Sequence, residues 1–174
     1  MAKTFPKPLF DDVLAHYRVE SISVHDCPSI YAKDEASQSV SVNTCALRAS
    51  EALCLANGLV KSRAAISKLA RRGDGKALLL GPYGYAANLC PHGIARGARD
   101  LAHFLRQEWG KPSLTWKAQP GGSAPSDIQG KTGMIGFIKI PGYSGQGHID
   151  VWNRTDCVGS GYWNSQDIWF WELA

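Results

Sequence analysis

The hydrophobic pattern of this chain changes period once, near residue 130, and that change restricts what it can fold into. Before it, apolar residues recur at helical spacing. Leu9, Val13, Leu14 and Tyr17 share one face of a short helix from Pro8 to Tyr17, and Pro8 suits a first turn. A second helix runs from Cys45 through Ala46, Ala49, Ser50, Leu53 and Ala56 to the stop signal Asn57-Gly58. A third is marked by Ile94, Ala98, Leu101, Ala102, Leu105 and Trp109, and ends at Gly110-Lys111-Pro112. After residue 130 the apolar residues come in strand-length runs: Met134 to Ile140, Gly147 to Asn153, and Ile168 to Leu173. Arg154-Thr155 makes a tight turn, and Cys157 to Trp163 can return as a hairpin partner. Helices followed by consecutive strands predict an α+β domain, with N-terminal helices packed on a C-terminal antiparallel sheet.

The intervening stretches are less regular. Residues 18–40 read as a long polar surface connection, and Lys61 to Arg72 as an amphipathic segment with a solvated basic face. Residues 81–93 are rich in Gly, Pro, Tyr and Asn and read as a loop. Pro120 to Ser126 is a flexible loop, too short for a linker, that can flank a groove. At 174 residues the chain fits one domain spanning 1–174. A net charge of +4 selects no class of partner, and no nucleic-acid motif accompanies the basic residues. No run approaches the roughly 18 apolar residues of a membrane span. The N-terminus has no apolar h-region, so synthesis in the cytoplasm without a secretory signal peptide is expected.

Cysteines stand at 27, 45, 54, 90 and 157, with no CxxC pair. Cys90-Pro91-His92 lacks a second ligand pair at useful spacing, so neither a metal nor another cofactor is expected. Pairing among Cys27, Cys54, Cys90 and Cys157 is open. Cys45 is different: it opens a helix. Asn43 or Thr44 can cap that helix, and the positive end of the helix dipole favours a thiolate there. A thiol nucleophile needs a base, and His148 supplies one at the start of a strand after the glycine-rich Gly142 to Gly147 loop. The base needs an orienting partner. Strand alternation puts Asp150 on the face of His148, which makes it the first choice. Asp156, near the turn, is the second. If the turn lies at Asn153-Arg154, the residue facing His148 is about Gly159, which has no side chain. Arg48, one turn beyond Cys45, pairs with a buried acid or reaches solvent.

Three segments together resemble a known family. They are Asn43-Thr44-Cys45-Ala46-Leu47-Arg48-Ala49-Ser50, then Gly147-His148-Ile149-Asp150-Val151-Trp152-Asn153, then Tyr162-Trp163 with Ile168 to Leu173. The resemblance, from about residue 8 to the end, is to the type VI secretion amidase effector family 4, the Tae4 effectors. It implies a papain-like NlpC/P60 fold and a peptidoglycan amidase cutting the γ-D-glutamyl–meso-diaminopimelate bond. It implies Cys45 as nucleophile and His148 as general base, with no cofactor. It also implies export by a type VI secretion apparatus into a rival's periplasm, a cognate immunity protein, and no membrane insertion. On this reading Arg48, Lys139 and Trp152 are candidate contacts for the stem peptide. The family carries an aspartate soon after the hairpin turn, with a second cysteine near it. Here Cys157-Val158-Gly159-Ser160-Gly161 has neither, so a relocated acid or a water must do that work. The alternatives are a papain-like deamidase or transpeptidase acting on a protein, and a peptidoglycan-binding module that has lost catalysis.

Overall fold

The computed structural model describes residues 3–18, 44–66, 68–69, 78–86 and 89–174. Most of the expected surface connection at 18–40, the end of the basic segment after residue 69, Asn43 and Cys27 lie outside the described residues. Among the described residues the helices are α1 (Phe10–His16), α2 (Cys45–Ala56), α3 (Arg63–Ile66) and α4 (Ala98–Trp109). Single 3₁₀ turns occur at Gly81–Tyr83, Pro120–Gly122 and Ser126–Ile128. The strands are β1 (Leu114–Trp116), β2 (Thr132–Ile138), β3 (His148–Asn153), β4 (Asp156–Cys157) and β5 (Asp167–Glu172). They form one antiparallel sheet in the order β1-β5-β2-β3-β4. The fold is α+β, with helices preceding the sheet. Among the described residues no helix is long and apolar enough to cross a membrane.

Strand alternation divides the core into two layers. Met134, Ile138, Ile149, Val151 and Trp171 pack with Ala49, Leu53, Leu101 and Leu105 of α2 and α4. Ile135, Phe137, Trp152, Ile168 and Phe170 form the other layer, closed by Ile128 and Trp163 from the connecting loops. α2 is buried nearly all round, as ten of its twelve residues show. Its small side chains let it sit against β3 and α4. It ends where expected, with Asn57 at the C-cap and Gly58 at φ +66°.

Two strand expectations change. β1 is an extra edge strand of three residues, too short to show alternation. The return strand after the hairpin pairs only at Asp156 and Cys157, followed by a Val158 N–H bond to the Val151 carbonyl at 2.8 Å. Beyond that the chain leaves β3, so residues 159–163 form a loop beside it.

One buried charge holds the N-terminal half to α2. Glu51 is only 1% exposed. Its carboxylate accepts from Arg18 Nε at 3.0 Å and Nη2 at 2.8 Å, and Arg63 Nε lies 3.3 Å from Oε1. Arg63 Nη2 in turn donates to the His16 carbonyl at 2.9 Å. Neutralising one member of such a group leaves the others uncompensated. Glu51→Gln is therefore expected to destabilise the fold by about 3 kcal/mol, read as a lower urea midpoint at constant m-value.

Candidate active site

Cys45 is the first residue of α2, and Thr44 precedes it in a non-helical conformation. The first intrahelical bond runs from the Arg48 N–H to the Thr44 carbonyl at 2.9 Å. Thr44 occupies the N-cap position, but its hydroxyl makes no cap bond. The amide N–H groups of this turn point out along the helix axis. The sulfur of Cys45 thus sits at the positive end of the helix.

His148 is the first residue of β3. Its Nε2 lies 2.8 Å from Asp150 Oδ2. The ring also hydrogen-bonds Cys45, and with Nε2 taken by Asp150 this leaves Nδ1 for the thiol. The imidazole is buried, near-parallel to the Phe137 ring at 6.1 Å and edge-on to the Tyr162 ring at 5.0 Å. Tyr162 itself is partly exposed.

Asp150 has no exposed surface, yet its carboxylate is saturated with donors. Oδ1 accepts from the Val151 N–H at 2.7 Å and the Gly159 N–H at 3.1 Å. Oδ2 accepts from the Ser160 N–H at 2.7 Å as well as facing His148. Burial alone would raise its pKa. The His148 bond and charge, and the Ser160 and Val151 amides, outweigh burial and hold it below the usual carboxylate value. For His148, burial opposes the charged form, but the bonds to Asp150 and Cys45 and their negative charge prevail. They push the imidazole up to about 9. At neutral pH this arrangement favours imidazolium beside a carboxylate, with the sulfur of Cys45 on the ring's other nitrogen.

The structure brings Cys45, His148 and Asp150 together. Asp156 is elsewhere: it is exposed and pairs with Asn153 at the far end of β3. Gly159 is displaced from its expected place opposite His148. The pairing of Trp152 with Cys157 carries on to bring Gly159 level with Asp150, where its amide donates. A Cβ at 159 would stand 2.5 Å from Asp150 Oδ2. The glycine is thus the space that the carboxylate occupies.

The expected substrate contacts fare unequally. Trp152 is 1% exposed, and its indole donates to the Ile128 carbonyl at 3.2 Å. It is a core residue, with no surface to offer a ligand. Arg48 is half-buried; its guanidinium lies 5.9 Å from the Tyr17 ring centroid and donates to the Arg18 carbonyl at 3.1 Å. Those contacts hold the end of α1 on α2. The sequence reading missed the amide cradle from Gly159 and Ser160, and the ring of Tyr162 on His148. The Gly-Ser-Gly run at 159–161 was the available signal for a backbone approach. Among the described residues no group of three or more His, Cys, Asp or Glu side chains is placed to hold a metal ion.

The family described as type VI secretion system (T6SS), amidase effector protein 4, Tae4, matches residues 41–171. That span holds all three site residues and most of the chain. The chain belongs to the Tae4 family. Membership makes it an amidase effector of type VI secretion. Solved Tae4 structures share its fold. Tae4 from Enterobacter cloacae aligns at 17% identity and TM-score 0.65, covering 99% of this chain and 100% of its own. Tae4 from Salmonella typhimurium, crystallised with the immunity protein Tai4 from Enterobacter cloacae, aligns at 23% and 0.62, covering 97% and 100%. The Enterobacter cloacae Tae4–Tai4 complex aligns at 17% and 0.61, with the same coverage. A search of curated proteins finds no match.

Proposed function

We propose that this Tae4 family member is a cysteine amidase that hydrolyses the γ-D-glutamyl–meso-diaminopimelate bond of peptidoglycan stem peptides. The observation that carries the proposal is the hydrogen-bonded line from Asp150 through His148 to Cys45, with the sulfur at a helix start. Each part has a chemical task. The proton shared by the pair rests on His148, and the sulfur of Cys45 attacks, as thiolate, the γ-carbonyl carbon of the glutamyl unit. The Cys45 backbone N–H, at the start of α2, is the donor placed for the oxyanion. As the tetrahedral adduct collapses, His148 gives its proton to the leaving amine of diaminopimelate. Water, deprotonated by His148, then attacks the thioester, releasing the glutamyl carboxylate and restoring the thiol. Asp150 touches no reacting atom; it orients the ring and stabilises its charged form.

The family's secretion route implies delivery into a neighbouring bacterium, with the wall in its periplasm as target. The Tae4–Tai4 complexes support a cognate immunity protein that protects the producer. The reading of a lapsed binding module rested on Gly159, and with Asp150 bonded to His148 it loses that support.

Digestion of Gram-negative peptidoglycan, with muropeptides read by mass spectrometry, tests the proposal. The expected products are stems truncated after the glutamyl residue and a released diaminopimelate-containing peptide. Unchanged muropeptides from folded protein would refute it.

A further inference from the structure

A groove of about 540 Å³ opens at the end of the sheet where His148 stands. Its floor is Ile138 to Pro141, continuing from Phe137, which pairs with His148. Its wall includes Gln146, two residues before His148. The size is that of a small-ligand or short-peptide site. Its polar lining is Arg99 and Lys139 with the phenol of Tyr143 and the amides of Gln146, Asn164 and Gln166, and no carboxylate lines it. Arg99 and Lys139 are exposed. Neither makes an ion pair among the described residues.

Two features show that this groove is built. Lys139 has φ +57°, unusual for a residue with a side chain, and its carbonyl is held by the Gln166 N–H at 3.0 Å. Gln146 fastens the wall to α4: its Oε1 accepts from the Asp100 N–H at 3.1 Å, and its Nε2 donates to Asp100 Oδ2 at 2.8 Å. Gly97 leaves room for that, since a Cβ there would lie 2.0 Å from Gln146 Oε1. Asp100, on the helix side of the groove, is thereby occupied, and Asp167, across from Ile138, is taken by Lys117. What remains is a fixed, cationic, amide-lined recess at the end of the sheet where β3 begins.

We propose that this groove is the subsite for the leaving half of the stem peptide, with Arg99 and Lys139 binding its carboxylates. The inference rests on the amidase reading above. In an uncross-linked tetrapeptide stem, the leaving half carries two free carboxylates: one on the D-centre of diaminopimelate and one at the chain terminus. Two unpaired cations match them, and the side-chain amides can meet the peptide groups between.

The test uses one tetrapeptide muropeptide with that D-centre carboxylate free, and the same compound amidated there. Binding is measured by calorimetry on Cys45→Ala protein, and cleavage on protein with Cys45 intact. Arg99→Gln and Lys139→Asn are made singly and together, asparagine being a residue that tolerates positive φ. Each single change is expected to raise Kd and KM for the free compound about tenfold with kcat held within about twofold. The double variant should lose the preference for free over amidated substrate. Wild-type affinities in the variants, no preference to lose, or no binding by the folded Cys45→Ala protein would each overturn the subsite. Arg99- and Lys139-dependent binding without cleavage would keep the subsite and refute the amidase.

Discussion

Cys45→Ala protein is expected to fold, to leave peptidoglycan uncut, and to carry a His148 that titrates lower than in the wild type. The three outcomes have separate causes. The fold survives because the change removes one sulfur from the end of a helix whose remaining contacts are mostly those of Ala46, Ala49, Leu53 and other small apolar side chains. A cost of about 1 kcal/mol is the scale for one atom's worth of cavity. Cleavage falls on the order of 10⁴-fold or more, because no other group is placed to form the thioester. The titration shift follows from what raises His148 to about 9: burial works against the charged ring, while the bonds and charges of Asp150 and Cys45 work for it. With the thiol gone, burial faces Asp150 alone, so the ring's pKa drops. Imidazole signals followed by NMR across pH in both proteins give the shift directly. An unmoved His148 would mean that the thiol does not face the ring. Residual cleavage within tenfold of wild type would remove Cys45 as nucleophile.

Some of this site could be read from residue order because it depends on short-range geometry. Asp150 lies two residues after His148 on one strand, so alternation alone put them on one face. The start of α2 was legible from a polar segment running into small apolar residues at helical spacing. Trp152 shares that face too, yet it is a core residue and not the substrate contact expected of it. Alternation says which residues share a face but not what covers it. Here Ile128 and Trp163, from loops without any period, close over the indole and leave it no exposure worth a contact. The hairpin register was lost for a similar reason. β3 and β4 share only two residue pairs, so no apolar pattern in the return strand defines how it aligns. The groove beside His148 was invisible because its walls come from α4, the loop after β2 and the approach to β5. The helix-to-loop bonds of Gln146 and the bond from the Gln166 N–H to the Lys139 carbonyl bring those segments together.

Position 159 offers the sharpest test of how the third site residue is arranged. The family resemblance places an acid in the segment after the hairpin turn, and here a glycine stands there while the acid sits on β3. The two facts are linked by space: any side chain at 159 begins 2.5 Å from Asp150 Oδ2. Gly159→Asp, which puts an acid back into the segment after the turn, is therefore expected to abolish most activity. It forces the Asp150 carboxylate off the Gly159 and Ser160 amides and sets two negative groups in one buried site. Asp150→Ala alone should cost about 10²- to 10⁴-fold in kcat/KM, the range for losing the group that orients a catalytic histidine. It should also lower the pKa of His148, a readout that general damage to the fold would not give. Combined, the two changes should compensate. The alanine vacates the space, the new aspartate beside β3 supplies the charge, and the double variant should cleave at least about tenfold faster than Asp150→Ala. Asp156→Ala, at the far end of the hairpin, should stay within about twofold of wild type. Losses that simply multiply in the double variant would mean that the glycine and the relocated carboxylate are not a pair. A wild-type pH profile in Asp150→Ala would mean that Asp150 does not orient His148 at all.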